Sequence, residues 1–175
     1  GKLPTFEDTC VGIHGRVYTI KTTANFDGKR MVLADVLENK SVADDFYIDP
    51  EDIQKWEYLK GAKKEVRTAK NGFSYNYSEG GMLFPDALDN ASRTIITGEG
   101  GKSASRFKHV IQTNKGLRRL TPLELERLNV FPDNHTLLAG ISDAKRAFFM
   151  GNALVVGVVE GLAKSLYEKT CLDPF

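Results

Sequence analysis

The sequence predicts an α+β protein: an irregular β-rich region followed by two helical segments. Three observations carry this expectation. Short β-branched or aromatic runs in the first two-thirds of the chain are separated by turn signals such as Asn71-Gly72, Gly80-Gly81 and Phe84-Pro85-Asp86. A proline-initiated, capped helix opens at Thr121. A segment beginning near Gly151 is apolar over most of a helical circumference.

In chain order, Arg16-Val17-Tyr18-Thr19-Ile20 reads as a strand and Met31-Val32-Leu33 as a second, shorter one. Asp49 is a good N-cap, and Pro50 suits the first position of a short helix through Ile53, Trp56 and Leu59. Residues 61–92 are turn-rich, with Phe73, Tyr75 and Tyr77 alternating with polar residues, which predicts loops and irregular β structure. Arg93-Thr94-Ile95-Ile96-Thr97 is a β-branched run ending in Gly98-Glu99-Gly100-Gly101.

The next helix is defined at both ends. Thr121 is its N-cap, Pro122 its first residue, Glu124 completes a capping box, and Leu120 is placed to staple onto Leu125. It stops near Asn129, because Phe131-Pro132-Asp133 cannot continue it. The last helix is expected to start with Asn152 as N-cap and to run to about Glu168, with Leu154, Val158, Val159, Leu162 and Leu166 spread around it. That run is too short to cross a bilayer, and Glu160 between Gly157 and Gly161 interrupts it. Such a helix must pack inside something, and the few strands of this chain offer little cover.

At 175 residues the chain amounts to one domain, or one domain and a piece of another, taking about 150 residues per domain. A hydrophobic share of 41% and a charged share of 27% exclude a disordered tail, a collagen-like repeat and a mini-protein. The chain begins at Gly1 rather than Met, as a cut or processed piece would, and its first residues do not read as a signal peptide. Cys10 and Cys171 form no spaced pair, which fits a reducing, cytoplasmic setting. Net charge is +1, but it is unevenly spread. Residues 35–52 hold seven acids and one base, whereas residues 102–119 hold six bases and no acid.

Chemical machinery is sparse. Only Cys10 and His14 have ligand-like spacing, so no metal site is expected. Gly100-Gly101-Lys102-Ser103 looks like the end of a phosphate-binding loop, but Ile96 stands where that loop requires glycine. There is no nucleophile elbow, and neither cysteine has an activating neighbour. No catalytic residue is therefore assigned.

Residues 118–133, beginning Arg118-Arg119-Leu120-Thr121-Pro122-Leu123-Glu124-Leu125, closely resemble the ninth motif of DNA (cytosine-5)-methyltransferases. Phe149-Met150-Gly151-Asn152-Ala153-Leu154 resembles their tenth. Ala34-Asp35-Val36-Leu37-Glu38 with Phe46-Tyr47-Ile48 resembles the entry to their target-recognition region, and Ser92-Arg93-Thr94-Ile95 that region's threonine-hydrophobic signature. The family's cofactor loop, its Pro-Cys nucleophile, its cytosine-engaging acid and its Arg-rich strand are not found in this sequence. The resemblance implies the C-terminal part of such an enzyme. Residues 1–117 would be the target-recognition region, and residues 118–175 the motif IX and motif X helices that return to a missing catalytic domain.

The same resemblance implies roles. Arg93, Thr94 and Ile95 would lie at the DNA backbone beside the flipped base. Lys102, Ser103, Ser105, Arg106 and Lys108 would follow along the duplex, with Arg106 placed to read guanine. Gly151, Asn152 and Ala153 would edge the S-adenosylmethionine pocket once a catalytic domain completes it; Ala153 replaces a serine common in the family. Arg118, Thr121, Pro122 and Glu124 would be structural. The implied partners are double-stranded DNA and a catalytic chain or domain bearing Pro-Cys, with self-association through the last helix as another way to cover it. The implied setting is a bacterial, nucleoid-associated cytoplasmic protein. A non-enzymatic DNA-binding module, or an interaction piece that never touches DNA, are the competing readings.

Overall fold

A computed structural model describes residues 7–23 and 28–171, with Cys171 described in its backbone only. The N-terminal residues read above for a signal peptide and the Cys171 side chain lie outside the described residues. The chain divides into two compact units, Gly1–Arg30 and Met31–Phe175.

In the first unit, β1 (Thr9–Ile13) pairs antiparallel with β2 (Arg16–Ile20), Thr9 opposite Ile20 and Ile13 opposite Arg16. A two-residue hairpin turn of type I′ needs positive φ at both central positions, and His14 (φ 47°) with Gly15 (φ 74°) provides it. The expected strand at residues 16–20 is β2. The hairpin exposes Val11, Val17 and Ile20.

The second unit opens differently from the expectation. Met31-Val32-Leu33 is not a strand: the Asp35 carboxylate accepts the Val32 amide at 3.0 Å and winds Leu33–Val36 into a 3-10 turn. Leu33 and Val36 thereby enter the core, and the Leu33 and Ala34 amides bond to the carbonyls of Asn90 and Leu88. Pro50–Asp52 forms another 3-10 turn that leads into α1 (Ile53–Lys60), burying Trp56 and Lys60. Asp49 precedes this turn, but its side chain makes no capping hydrogen bond.

The turn-rich stretch contains a regular hairpin, β3 (Lys63–Thr68) with β4 (Ser74–Glu79), Lys63 opposite Glu79 and Thr68 opposite Ser74. The β-branched run at residues 93–97 is not a strand: residues 93–96 form no regular element, and Thr97 opens a turn. A third hairpin, β5 (Val110–Thr113) with β6 (Gly116–Arg119), carries Ile111 into the core. The line expected between residues 117 and 118 falls inside β6, and both sides of it build one core, with Leu33, Val36 and Ile111 joining Leu120, Leu125, Ala147 and Met150. That line separates proposed roles, not packing units.

α2 (Pro122–Leu128) follows its capping box, with the Thr121 hydroxyl accepting from the Glu124 amide and the Glu124 carboxylate accepting from the Thr121 amide. Leu120 and Leu125 are both buried in the core, as the staple requires.

The expected start of the last helix is corrected. Asn152 does not cap a following helix; it is the last residue of α3 (Asp143–Asn152), which starts at an unanticipated N-cap, Ser142. Ala153 is extended, residues 154–155 form no regular element, and α4 (Val156–Cys171) begins after them. Residues 143–170, taken as one run, reach the length and mean hydropathy (1.4) of a membrane span. The break at residues 153–155 divides the run into two helices, and the helix of a soluble protein packed against another domain has the same composition. Nearly all of α4 is exposed, Leu162 at 67% and Leu166 at 65%.

Candidate functional site

Two glycines create the junction on which the site is built. Residues 96–101 cross the surface of α3 so closely that a Cβ on Gly151 would stand 2.5 Å from the Ile96 carbonyl carbon and from the Thr97 nitrogen and Cα. A Cβ on Gly100 would stand 2.7 Å from the Ala144 Cα and 2.8 Å from the Ala147 Cβ. One glycine on the helix and one on the loop therefore let backbone lie on backbone.

Beside this crossing opens a cavity of about 300 Å³, lined by Arg93, Thr94 and Ile95 on one side and by Gly151 and Ala153 on the other. Three of the eight residues expected at DNA thus share one cavity with two of the three expected at the cofactor, whereas Lys102, Ser103, Ser105, Arg106 and Lys108 do not line it. Asn152 is not among its lining residues; its amide donates to the Phe148 carbonyl at 2.8 Å, within α3. Asn129, which sequence reasoning passed over as a helix stop, organises this corner. Its side-chain amide donates to the Met150 carbonyl at 2.9 Å, and its own carbonyl accepts the Val156 amide at 2.9 Å. It joins the ends of α2 and α3 to the start of α4. The available signal was an asparagine at the C-cap ahead of Val130, which adopts φ 61°.

Four of the six bases at residues 102–119, Arg106, Lys108, Arg118 and Arg119, are turned inward, and Lys102 and Lys115 are exposed. Arg106 donates to the carbonyls of Leu59 (3.1 Å), Gly61 (3.2 Å) and Gly80, and pairs with Glu79. Lys108 is buried, with its ammonium on the carbonyls of Gly101 (2.7 Å) and Ser103 (2.6 Å). Burial, aided by Arg119 and opposed by Glu99, holds that ammonium below its ordinary pKa. Arg119 donates to the Gly100 and Asp45 carbonyls, and Arg118 forms a two-pronged pair with Glu124 at 2.6 and 2.8 Å. Lys102 pairs with Asp45 and Lys115 with Asp44. The acidic and basic stretches that the sequence sets apart therefore neutralise each other in part, and all six bases have internal partners.

Arg93 is also engaged. It clasps Asp86 with two bonds at 2.9 and 3.0 Å and donates to the Phe107 carbonyl, while Asp86 accepts the Val110 amide. Ser105 accepts the Phe107 amide. Thr94, Lys102 and Ser103 remain exposed.

Beneath the loop, buried Glu99 accepts both the backbone amide (2.5 Å) and Nδ1 (2.8 Å) of buried His109, whose Nε2 lies 3.0 Å from the Ser92 hydroxyl. This relay ties the glycine-rich turn to β5 and to residue 92. Lys60 is buried beside it and donates to the Lys108 carbonyl at 2.6 Å; burial pushes its pKa down to about 8. Between α2 and α3, Glu126 accepts from the Thr136 amide and from Arg146, each at 3.0 Å. Burial works to raise that carboxyl, but the Thr136 and Arg146 bonds outweigh it and hold it below its ordinary value.

Comparison with known proteins agrees with the motif reading. The family model for C-5 cytosine-specific DNA methylases matches residues 10–168. Type II methyltransferase M.Sau3AI of Staphylococcus aureus is 39% identical over 87% of this chain, and M.HpaII of Haemophilus parainfluenzae 28% over 81%. The chain spans only 36% and 39% of the lengths of those two relatives. In fold it resembles the S. pombe Dnmt2 methyltransferase (TM-score 0.56, 17% identity, 83% of this chain and 44% of that one). It also resembles the Entamoeba histolytica methyltransferase EhMeth (TM-score 0.57, 16% identity, 88% of this chain and 45% of that one). With the family match covering most of its length, the chain belongs to the C-5 cytosine-specific DNA methylases.

Proposed function

We propose that this chain is the DNA-recognition and cofactor-edge portion of a DNA (cytosine-5)-methyltransferase that acts on a specific duplex site, and that it is inactive alone. The observation that carries the reading is α4. Its apolar side chains Val156, Val158, Val159, Leu162, Leu166 and Tyr167 are all exposed, and Val155, just before it, lines the 300 Å³ cavity. A catalytic portion seated on α4 would bury that surface and wall the cavity in one step.

Within the completed enzyme, Thr94 and the neighbouring amides face the DNA backbone, with Lys102 and Ser103 beside them on the glycine-rich turn. The Lys102 pair with Asp45 is fully exposed, so a phosphate can take its place at little cost. Lys108 holds the turn in shape for this contact through the Gly101 and Ser103 carbonyls, while Arg93, Ser105 and Arg106 brace the neighbouring segments. The cavity fits one edge of the cofactor: apolar Leu128 and Val155 line it together with the chain of Gly151 and Ala153, where contact falls to backbone atoms. S-adenosylmethionine, when bound, supplies the methyl group. The attacking thiolate belongs to the catalytic portion, which receives a base swung out of the duplex.

The test is co-expression with the part of M.Sau3AI that this chain leaves unmatched. The two should co-purify, and Leu162→Glu with Leu166→Glu should abolish the association while leaving the isolated chain folded. Undiminished co-purification of the double variant would overturn the role of α4.

A further inference from the structure

The basic residues assigned to DNA by resemblance are mostly occupied, which raises the question of what reads the sequence. The β3–β4 hairpin offers an answer. Its side chains alternate between two faces, and the register puts Lys63, Glu65, Arg67, Tyr75, Tyr77 and Glu79 on one of them. There both of the hairpin's carboxylates are consumed: Glu65 pairs with Arg67 at 2.6 Å, and Glu79 with Lys63 at 3.3 Å and with the Tyr77 hydroxyl. The Arg67 guanidinium lies over the Tyr77 ring at 3.3 Å.

The opposite face carries Lys64, Val66, Thr68, Ser74, Asn76 and Ser78, all exposed, with no carboxylate among them. Lys70 is exposed at the turn. This face presents three hydroxyls, one amide and the exposed Val66 together with Lys64, and Lys64 and Lys70 pair with no carboxylate among the described residues. The root of the hairpin is braced. Lys63 donates to the Leu59 carbonyl at 3.0 Å, and Arg106 bonds the carbonyls at the end of α1 and on either side of the hairpin, as well as Glu79. Strands of six residues reach about 20 Å, and the major groove, about 12 Å wide, admits a two-stranded ribbon.

We infer that the β3–β4 ribbon enters the major groove of duplex DNA, with Asn76 and the neighbouring hydroxyls on base edges and Lys64 and Lys70 on phosphates. Arg106 is the positioning residue at its root. The inference rests on the DNA-recognition reading above. It places sequence discrimination on the ribbon rather than on Arg106, and it makes Asn76, whose amide can pair two-pronged with adenine, the principal specificity residue.

The experiment is duplex selection and titration with the 175-residue chain, using fluorescent duplexes with a randomised core across a salt series. Lys64→Ala with Lys70→Ala should weaken binding and reduce the log–log salt slope by about 1.8, two phosphate contacts at about 0.9 each. The matching lysine-to-arginine pair should restore the slope, which separates charge from folding. Asn76→Ala should leave the slope unchanged and relax the preference at one base pair by about 5- to 150-fold. If wild type binds and selects DNA but these variants match it, the ribbon inference fails and the DNA-recognition reading stands. The same holds if the variants weaken only the association with a catalytic portion. If wild type binds no duplex even at low salt, both fail together.

Discussion

Replacing Gly151 with alanine puts a methyl carbon where the backbone of residues 96–97 already runs. Its three nearest neighbours, the Ile96 carbonyl carbon and the Thr97 nitrogen and Cα, would each lie 2.5 Å away. Carbon atoms rest at about 3.5–4.0 Å, so loop and helix must separate by roughly 1 Å. Neither yields easily, because Met150 beside the glycine is in the core and Ile95 beside the crossing packs against it. Overpacking of this kind costs about 1–3 kcal/mol, and alanine's better helix propensity offsets at most about 1 kcal/mol of it. Urea unfolding should therefore show Gly151→Ala destabilised by about 1–2 kcal/mol. Gly161→Ala is the control: its Cβ meets nothing within 4 Å, so only propensity acts, and the variant should be no less stable than wild type. Wild-type stability in Gly151→Ala would refute the backbone crossing on which the shared cavity depends.

Three further outcomes follow from the same geometry. Arg118→Met strands the fully buried Glu124 carboxylate and should cost about 3–5 kcal/mol in urea unfolding; a loss under about 1 kcal/mol would contradict the account of the α2 cap. Lys60 titrates near 8 when folded and near 10.5 when unfolded, so between those values the unfolded chain holds more protons and stability rises with pH. Relative to Lys60→Met, wild type should gain on the order of 3 kcal/mol across that window, and a flat difference between the two would remove the buried ammonium from the account. Arg106→Ala should speed amide hydrogen exchange in β3 and β4 more than elsewhere, whereas an arginine that served only DNA would leave exchange in the free chain unchanged.

What could be read from the sequence was what is local. The capping box at Thr121 and Glu124 lies within four residues, and α2 forms where it predicts. α3 escaped notice because Gly151-Asn152 reads as the entrance to a helix. Only the third dimension shows that Gly151 admits a crossing loop, and that the Val156 amide binds Asn129 and sets the start of α4 beyond the link at residues 153–155. The β-branched run at residues 93–97 has strand propensity but lies on a helix, where no neighbouring strand pairs with it. The basic run looked like a nucleic-acid surface because its partners are remote in sequence: Asp45 lies 57 residues from Lys102, and Asp44 lies 71 from Lys115. The β3–β4 ribbon was concealed by its composition, since alternating aromatic and polar residues describe an irregular loop as well as a two-faced hairpin.

The claim that this chain is the recognition portion of a two-part methylating enzyme is tested most directly by transfer of a radiolabelled methyl group from S-adenosylmethionine to duplex DNA. The purified chain should transfer none, and mixing it with a family catalytic portion bearing the Pro-Cys nucleophile should produce labelled 5-methylcytosine. Label incorporated by the chain alone, or a stable mixed complex that binds DNA and never methylates it, would contradict the account.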